Sequence, residues 1–125
     1  MLVFPTPAVA LTAVTASFLP TTGLCVGEAG EHGALKALRA KAMAGTAGTG
    51  TNTILIECDD NPAFSSATVL FTIALGTSTE ADDTTLDNPW PPGDNFLRAR
   101  CSAVGATAPQ EVTVEVYIAE QMGSL

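Results

Sequence analysis

The side chains of this chain that could do chemistry are few, and their spacing identifies no reaction. Acids gather at Glu57, Asp59 and Asp60 near one turn and at Glu80, Asp82, Asp83 and Asp87 in a later loop. Loop carboxylates with carbonyl oxygens are what calcium takes, about six to eight at a time, but the spacing is not that of an EF-hand loop and no glycine stands where its sharp turn needs one. No metal site is expected. The single histidine, His32, follows Glu31 in a glycine-flanked loop. Nucleophilic catalysis needs such a base within hydrogen-bond reach of a serine or cysteine and a third group to orient it, so a lone loop histidine reads as a surface group. Glu57 and Glu115 could meet on one sheet face as the paired carboxylates of a glycosidase, yet one Trp and one Tyr make a poor lining for a sugar cleft. The run Gly45-Thr-Ala-Gly-Thr-Gly-Thr51 has neither the Gly-Lys-Ser/Thr end of a P-loop nor the order Gly-x-Gly-x-x-Gly, and it joins strands instead of opening a helix. The chain is expected to be no enzyme and to hold no cofactor.

Two features suit contact with a partner. Trp90 lies in Asn88-Pro-Trp-Pro-Pro-Gly93, where prolines hold the indole in one place. It reads as a plug over the open end of a sandwich, an interface anchor or a stacking platform for sugar. The five cations fall into two groups, Lys36, Arg39 and Lys41 in one segment and Arg98 and Arg100 in another, which form one basic stripe if the two segments are neighbours, either a solvated face balanced by local carboxylates or a docking strip for an acidic partner surface. Arg98 and Arg100 alternate with Leu97, Ala99 and Cys101, so they face outward, where a partner's carboxylates can be paired. A net charge of −8 argues against a nucleic-acid binder, which needs cations to displace counterions from phosphate.

The first twenty residues are apolar but carry no Lys or Arg and are broken by Pro5 and Pro7, so neither a signal peptide nor a membrane span of about 20 apolar residues is expected. They read as an extended arm and first strand, with Val9, Leu11 and Ala13 on one side and Leu2, Val3 and Phe4 seeking a neighbouring subunit or a groove. The expected partner-binding residues are Phe4, Trp90, Arg98 and Arg100.

What must position these groups is a set of half-buried strands, because successive side chains on a pleated strand point to opposite faces. Glu111 to Ala119 puts Val112, Val114, Val116 and Ile118 on one face and Thr113, Glu115 and Tyr117 on the other. The same alternation groups Ile54, Ile56 and Cys58; Val69, Phe71, Ile73 and Leu75; and Leu97, Ala99 and Cys101. Ala34 to Met43 has helix-favouring residues but no cap, and reads as a strand with Leu38, Ala40 and Ala42 together. Leu24 to Glu28 is a short strand, Asp59-Asp-Asn-Pro62 a turn, and Gly76 to Asn95 one long loop. Three cysteines, an odd number without close spacing, read as reduced thiols, with Cys58 and Cys101 in the core. The sum is an all-β antiparallel sandwich of jelly-roll type, with residues 1–20 as arm and first strand and 21–125 as one domain.

From Leu35 onward the alternating strands, the Gly/Thr hairpin, the Asp-Asp-Asn turn, the proline-rich loop and the segments FLRARCSA and EVTVEVYIAE resemble the small β-sandwich structural proteins of tailed-bacteriophage virions, and among them the capsid decoration or cement proteins. The resemblance implies a virion protein that docks on the major capsid protein, as a homotrimer, and braces the head. The alternative reading is a carbohydrate-binding or adhesion module, including a phage fibre or tail module, with Trp90, Tyr117 and the acidic loop in its site.

Overall fold

A computed structural model describes the backbone of residues 2–5, 24–25, 33–91 and 93–122 and, within these, the side chains of 36–91 and 93–119. The elements in chain order are β1 (Leu2–Pro5), β2 (Leu24–Cys25), β3 (Gly33–Met43), β4 (Thr53–Asp59), β5 (Thr68–Ala74), β6 (Glu80–Asp83), β7 (Phe96–Ala103) and β8 (Thr113–Met122). They form two antiparallel four-stranded sheets, β1-β8-β3-β6 and β2-β7-β4-β5, here the first and second sheet. The pairings are nested: β1 with β8, β2 with β7, β3 with β6, β4 with β5, alternately in the two sheets. The chain is a long hairpin rolled up around the β4–β5 turn, which is the jelly roll the strand pattern leads one to expect.

Alternation builds the core between the sheets. Val112, Val114, Val116 and Ile118 face Ile54, Ile56, Cys58, Ile73, Leu97, Ala99 and Cys101, all without solvent exposure. Burial of each larger aliphatic side chain contributes about 1.5–3 kcal/mol relative to leaving it in water.

Two bulges correct the parity read from the sequence. Opposite β8, Ala37 pairs with Ile118 and Arg39 with Tyr117, so Leu38 is an extra residue. Ala37, Ala40 and Ala42 are therefore the buried face of β3, and Leu38 is only half-buried. A bulge re-aims the side chains on either side of it, and here it turns Lys36 to the same outer face as Arg39 and Lys41. On β5, Phe71 pairs with Ile56 and Val69 with Glu57, leaving Leu70 extra. Leu70 joins Phe71, Ile73 and Leu75 in the core, and Val69 leaves it.

The stretch from Gly76 to Asn95 is not one loop: Glu80–Asp83 is strand β6, paired with Ala40–Met43. Asp83 at the end of β6 and the irregular stretch after it shield the β5 edge. The amide of Thr72 donates to Asp83 Oδ2 at 3.0 Å, the Asp87 amide to the Leu70 carbonyl at 2.8 Å, and Asn88 Nδ2 to the Val69 carbonyl at 2.8 Å. Side chains and loop backbone thus occupy ladder groups that would otherwise invite another strand.

At one end of the sandwich Asn52, fully buried, ties three segments together. Its Nδ2 donates to the carbonyls of Gly76 at 2.8 Å and Thr49 at 3.2 Å, and its Oδ1 accepts from the Gly105 amide at 2.9 Å. The chain passes so closely there that a Cβ on Gly105 would overlap the carbonyl of Thr49.

Candidate functional site

The densest polar cluster lies on the outer face of the second sheet. Because Ile56 and Cys58 point into the core, Glu57 points out, beside its register partner Arg98 and near Arg100, paired with Leu55. Arg98 Nε and Arg100 Nε both donate to Glu57 Oε1, at 2.8 and 3.0 Å, and Arg100 Nη2 donates to Oε2 at 3.3 Å. The Glu57 side chain keeps 6% of its exposure and the arginines 20% and 23%. Each arginine is sequence-distant from the glutamate, and only the β4–β7 register unites them.

The Asp59-Asp-Asn-Pro turn completes this cluster. Asp59 Oδ1 accepts from the Asp60 amide at 2.7 Å, Asp59 Oδ2 from the Ser66 amide at 2.9 Å, and Asn61 Oδ1 from the Ala63 amide at 2.9 Å. Burial raises the affinity of the Asp59 carboxyl for a proton, but the Ser66 and Asp60 amides, a side-chain bond with Asp60 and the charge of Arg98 outweigh it and hold the group below its ordinary value. The turn brings Phe64 round at φ 51, a left-handed conformation that costs a non-glycine residue roughly 1–2 kcal/mol. The Phe64 ring then lies 4.3 Å from the Arg98 guanidinium, a cation–π contact.

A second group sits at the same end of β4. Asp94 Oδ2 lies 3.6 Å from Cys58 Sγ, and the Asp94 carbonyl accepts from Trp90 Nε1 at 2.8 Å. Burial raises the Asp94 carboxyl above its ordinary value; the Cys58 contact opposes this, and the charges of Asp59 and Asp60 add to it. Burial pushes the Cys58 thiol far up, with the Asp94 charge next, and burial likewise raises Cys101. Neither is joined in a disulfide, and both are inert core thiols.

The outer face of the first sheet carries another row. The Arg39 guanidinium stacks on the Tyr117 ring at 4.4 Å, Tyr117 donates its hydroxyl to Glu115 Oε2 at 2.5 Å, and Lys41 Nζ pairs with Glu80 Oε1 at 2.8 Å. The Glu80 bond raises the Lys41 ammonium and lowers the Glu80 carboxyl.

Trp90 is half-buried, packs on the core and donates its indole N–H within its own loop. Phe4 stands opposite Val116 in β1 and Cys25 opposite Phe96 in β2; the side chains of both, and His32 and the Val9/Leu11 face altogether, lie outside what is described. Arg98 and Arg100 do face outward, but they embrace Glu57. The single basic stripe does not exist, because β3 and β7 belong to different sheets and their cations look out from opposite sides. Glu57 and Glu115 are separated by the same geometry, with sheet-to-sheet distance alone about 10 Å. Among the described residues no group of three His, Cys, Asp or Glu side chains could hold a metal ion. Asn52 and Phe64, both central to the loops, escaped the sequence reading. A lone Asn ahead of a strand was their only signal; nothing announces a positive φ at Phe64.

Comparison with protein-family models, curated proteins and solved structures finds no match to this chain.

Proposed function

We propose that this chain is a non-enzymatic virion structural protein, one that docks on the major capsid protein of a tailed-phage head and braces it. The observation that carries the reading is where the polar side chains go. Glu57 is clasped by two arginines, Asp59 and Asn52 bind backbone amides and carbonyls, Asp83 caps a sheet edge, and Asp94 meets a buried thiol. Groups that catalysis would leave poised toward a substrate are here committed to a small, stiff body. Jelly rolls also serve as lectin and cupin domains, so the fold alone does not choose. A sugar platform is less well supported: the Trp90 N–H is used internally and the Tyr117 ring carries Arg39 on its face.

Purified protein mixed with undecorated heads of the encoding phage and pelleted through sucrose tests the proposal. Saturable co-sedimentation at a fixed ratio to capsomers is the expected result. Protein left wholly in the supernatant would remove the capsid reading.

A further inference from the structure

Of the five cations, Lys41, Arg98 and Arg100 have carboxylate partners, whereas Lys36 and Arg39 have none among the described residues. Both face outward on the first sheet, a consequence of the Leu38 bulge. Arg39 is the more constrained: its guanidinium is stacked on Tyr117 and its Nε is buried without a hydrogen-bond partner. The nearby acids are already engaged, Glu80 by Lys41 and Glu115 by the Tyr117 hydroxyl. A partly desolvated cation with no ion pair of its own, the Glu80 carboxylate that feels its charge being held by Lys41, is an unfavourable arrangement in an isolated chain.

The missing acid is on the same face. Strand β6 lies next to β3, with Asp82 opposite Lys41 in register and Ala81 turned toward the core. Asp82 is therefore outward and exposed, and it has no hydrogen bond or ion pair among the described residues. One face thus carries a cationic row on β3 beside an acidic row, Glu80 and Asp82, on β6. Turned over about a two-fold axis parallel to the strands and between β3 and β6, such a face meets itself with opposite charges aligned: β3 of one copy lies over β6 of the other, and the reverse. Each Asp82 then arrives level with Lys41 of the second copy and one outward position from Arg39. The half-buried Leu38 and Met43 supply apolar contact around these charges.

We infer that the outer face of the first sheet is a self-association surface, on which two copies of this chain pair face to face, the β3 cations Lys41 and Arg39 of each over Asp82 of the other. With strands about 4.8 Å apart and about 3.3 Å of rise per residue, the two facing strands, paired over Ala40–Met43 and Glu80–Asp83, make a patch of about 10 by 13 Å, small beside standard interfaces. The pair is therefore weak, and its charges make it salt-sensitive. This contact is independent of capsid docking, and it gives a two-fold pair in place of the trimer that the resemblance implies.

Sedimentation velocity over a concentration series, at about 50 mM and about 500 mM salt, reads the association. The parent chain should form a dimer that weakens at the higher salt. Arg39→Glu alone and Asp82→Arg alone each place like charges at both symmetric contacts, and each should raise the dissociation constant about tenfold or more. Mixed in equal amounts, the two variants restore opposite charges at both contacts and should pair again, as should the double variant with itself. Asp82 makes no internal bond, so its variant keeps the fold whatever becomes of Arg39; melting curves check both. A parent chain that stays monomeric, single variants that pair like the parent, a mixture that fails to restore pairing, or a trimer mass would each overturn the inference.

Discussion

Replacing Glu57 by Ala should unfold this protein well below its normal melting temperature. The glutamate side chain is 6% exposed, and removing it leaves two guanidiniums, 20% and 23% exposed, side by side on β7 without their shared acceptor. Breaking a buried ion pair by deleting one partner costs about 3–5 kcal/mol. The arginines retain some contact with water, which places the cost near the lower end, about 3 kcal/mol. For a domain of this size, about 4 °C is lost per kcal/mol, so the melting temperature should fall by about 12 °C. Scanning calorimetry and urea titration read the loss. Replacing the trio together, Glu57→Leu with Arg98→Met and Arg100→Met, removes the charges with the acceptor and should recover most of the stability. If Glu57→Ala melts within about 2 °C of the parent, the clasp does not hold the β4–β7 register and the reasoning is wrong. The same geometry makes Arg98→Glu with Arg100→Glu a poor docking probe, because it would surround Glu57 with like charge.

Asn52→Ala should cost about 2–4 kcal/mol, since it strands the Gly105 amide and the Gly76 carbonyl in a buried end, and hydrogen exchange at Gly105 should accelerate with the fall in melting temperature. Gly105→Ala should be comparably damaging, because the added Cβ meets backbone, and low soluble yield or an early melt would register it. For Asp59, whose folded pKa lies below the ordinary 3.8, the stabilisation is fully present above that value and is lost as pH falls through the lower folded one; Asp59→Asn should flatten the acid limb of a melting-temperature profile. Asp94 has the opposite sign: its folded pKa lies above 3.8, its contribution is present below that value and is lost as pH rises through the folded one. Asp94→Asn should therefore match or exceed the parent's melting temperature at neutral pH, with the gain vanishing in acid.

Strand identity was legible wherever one face is buried, as at Val112 to Ile118 or Leu97 to Cys101, because the period of two is then imposed by the core. The facing of side chains, though not the strands themselves, was misread at Leu38 and Leu70, since an extra residue in one strand is defined by its partner and leaves no mark in the strand itself. Strand β6 was hidden for a related reason: Glu80-Ala-Asp-Asp is an edge strand with a single inward apolar residue, so composition made it look like loop. The Glu57 clasp required knowing that β4 and β7 are neighbours in the second sheet, a fact of the strand order that no local pattern carries. Even the cation stripe was undone by sheet assignment, as the two groups that look alike in sequence lie on opposite faces.

If this body braces a capsid as proposed, the temperature at which heads rupture and release DNA responds to it directly. Undecorated heads titrated with the protein should release DNA at a temperature that rises with occupancy and levels off when the sites are full. A release temperature that stays the same while the protein is visibly bound, or heads that never bind it, would contradict the account.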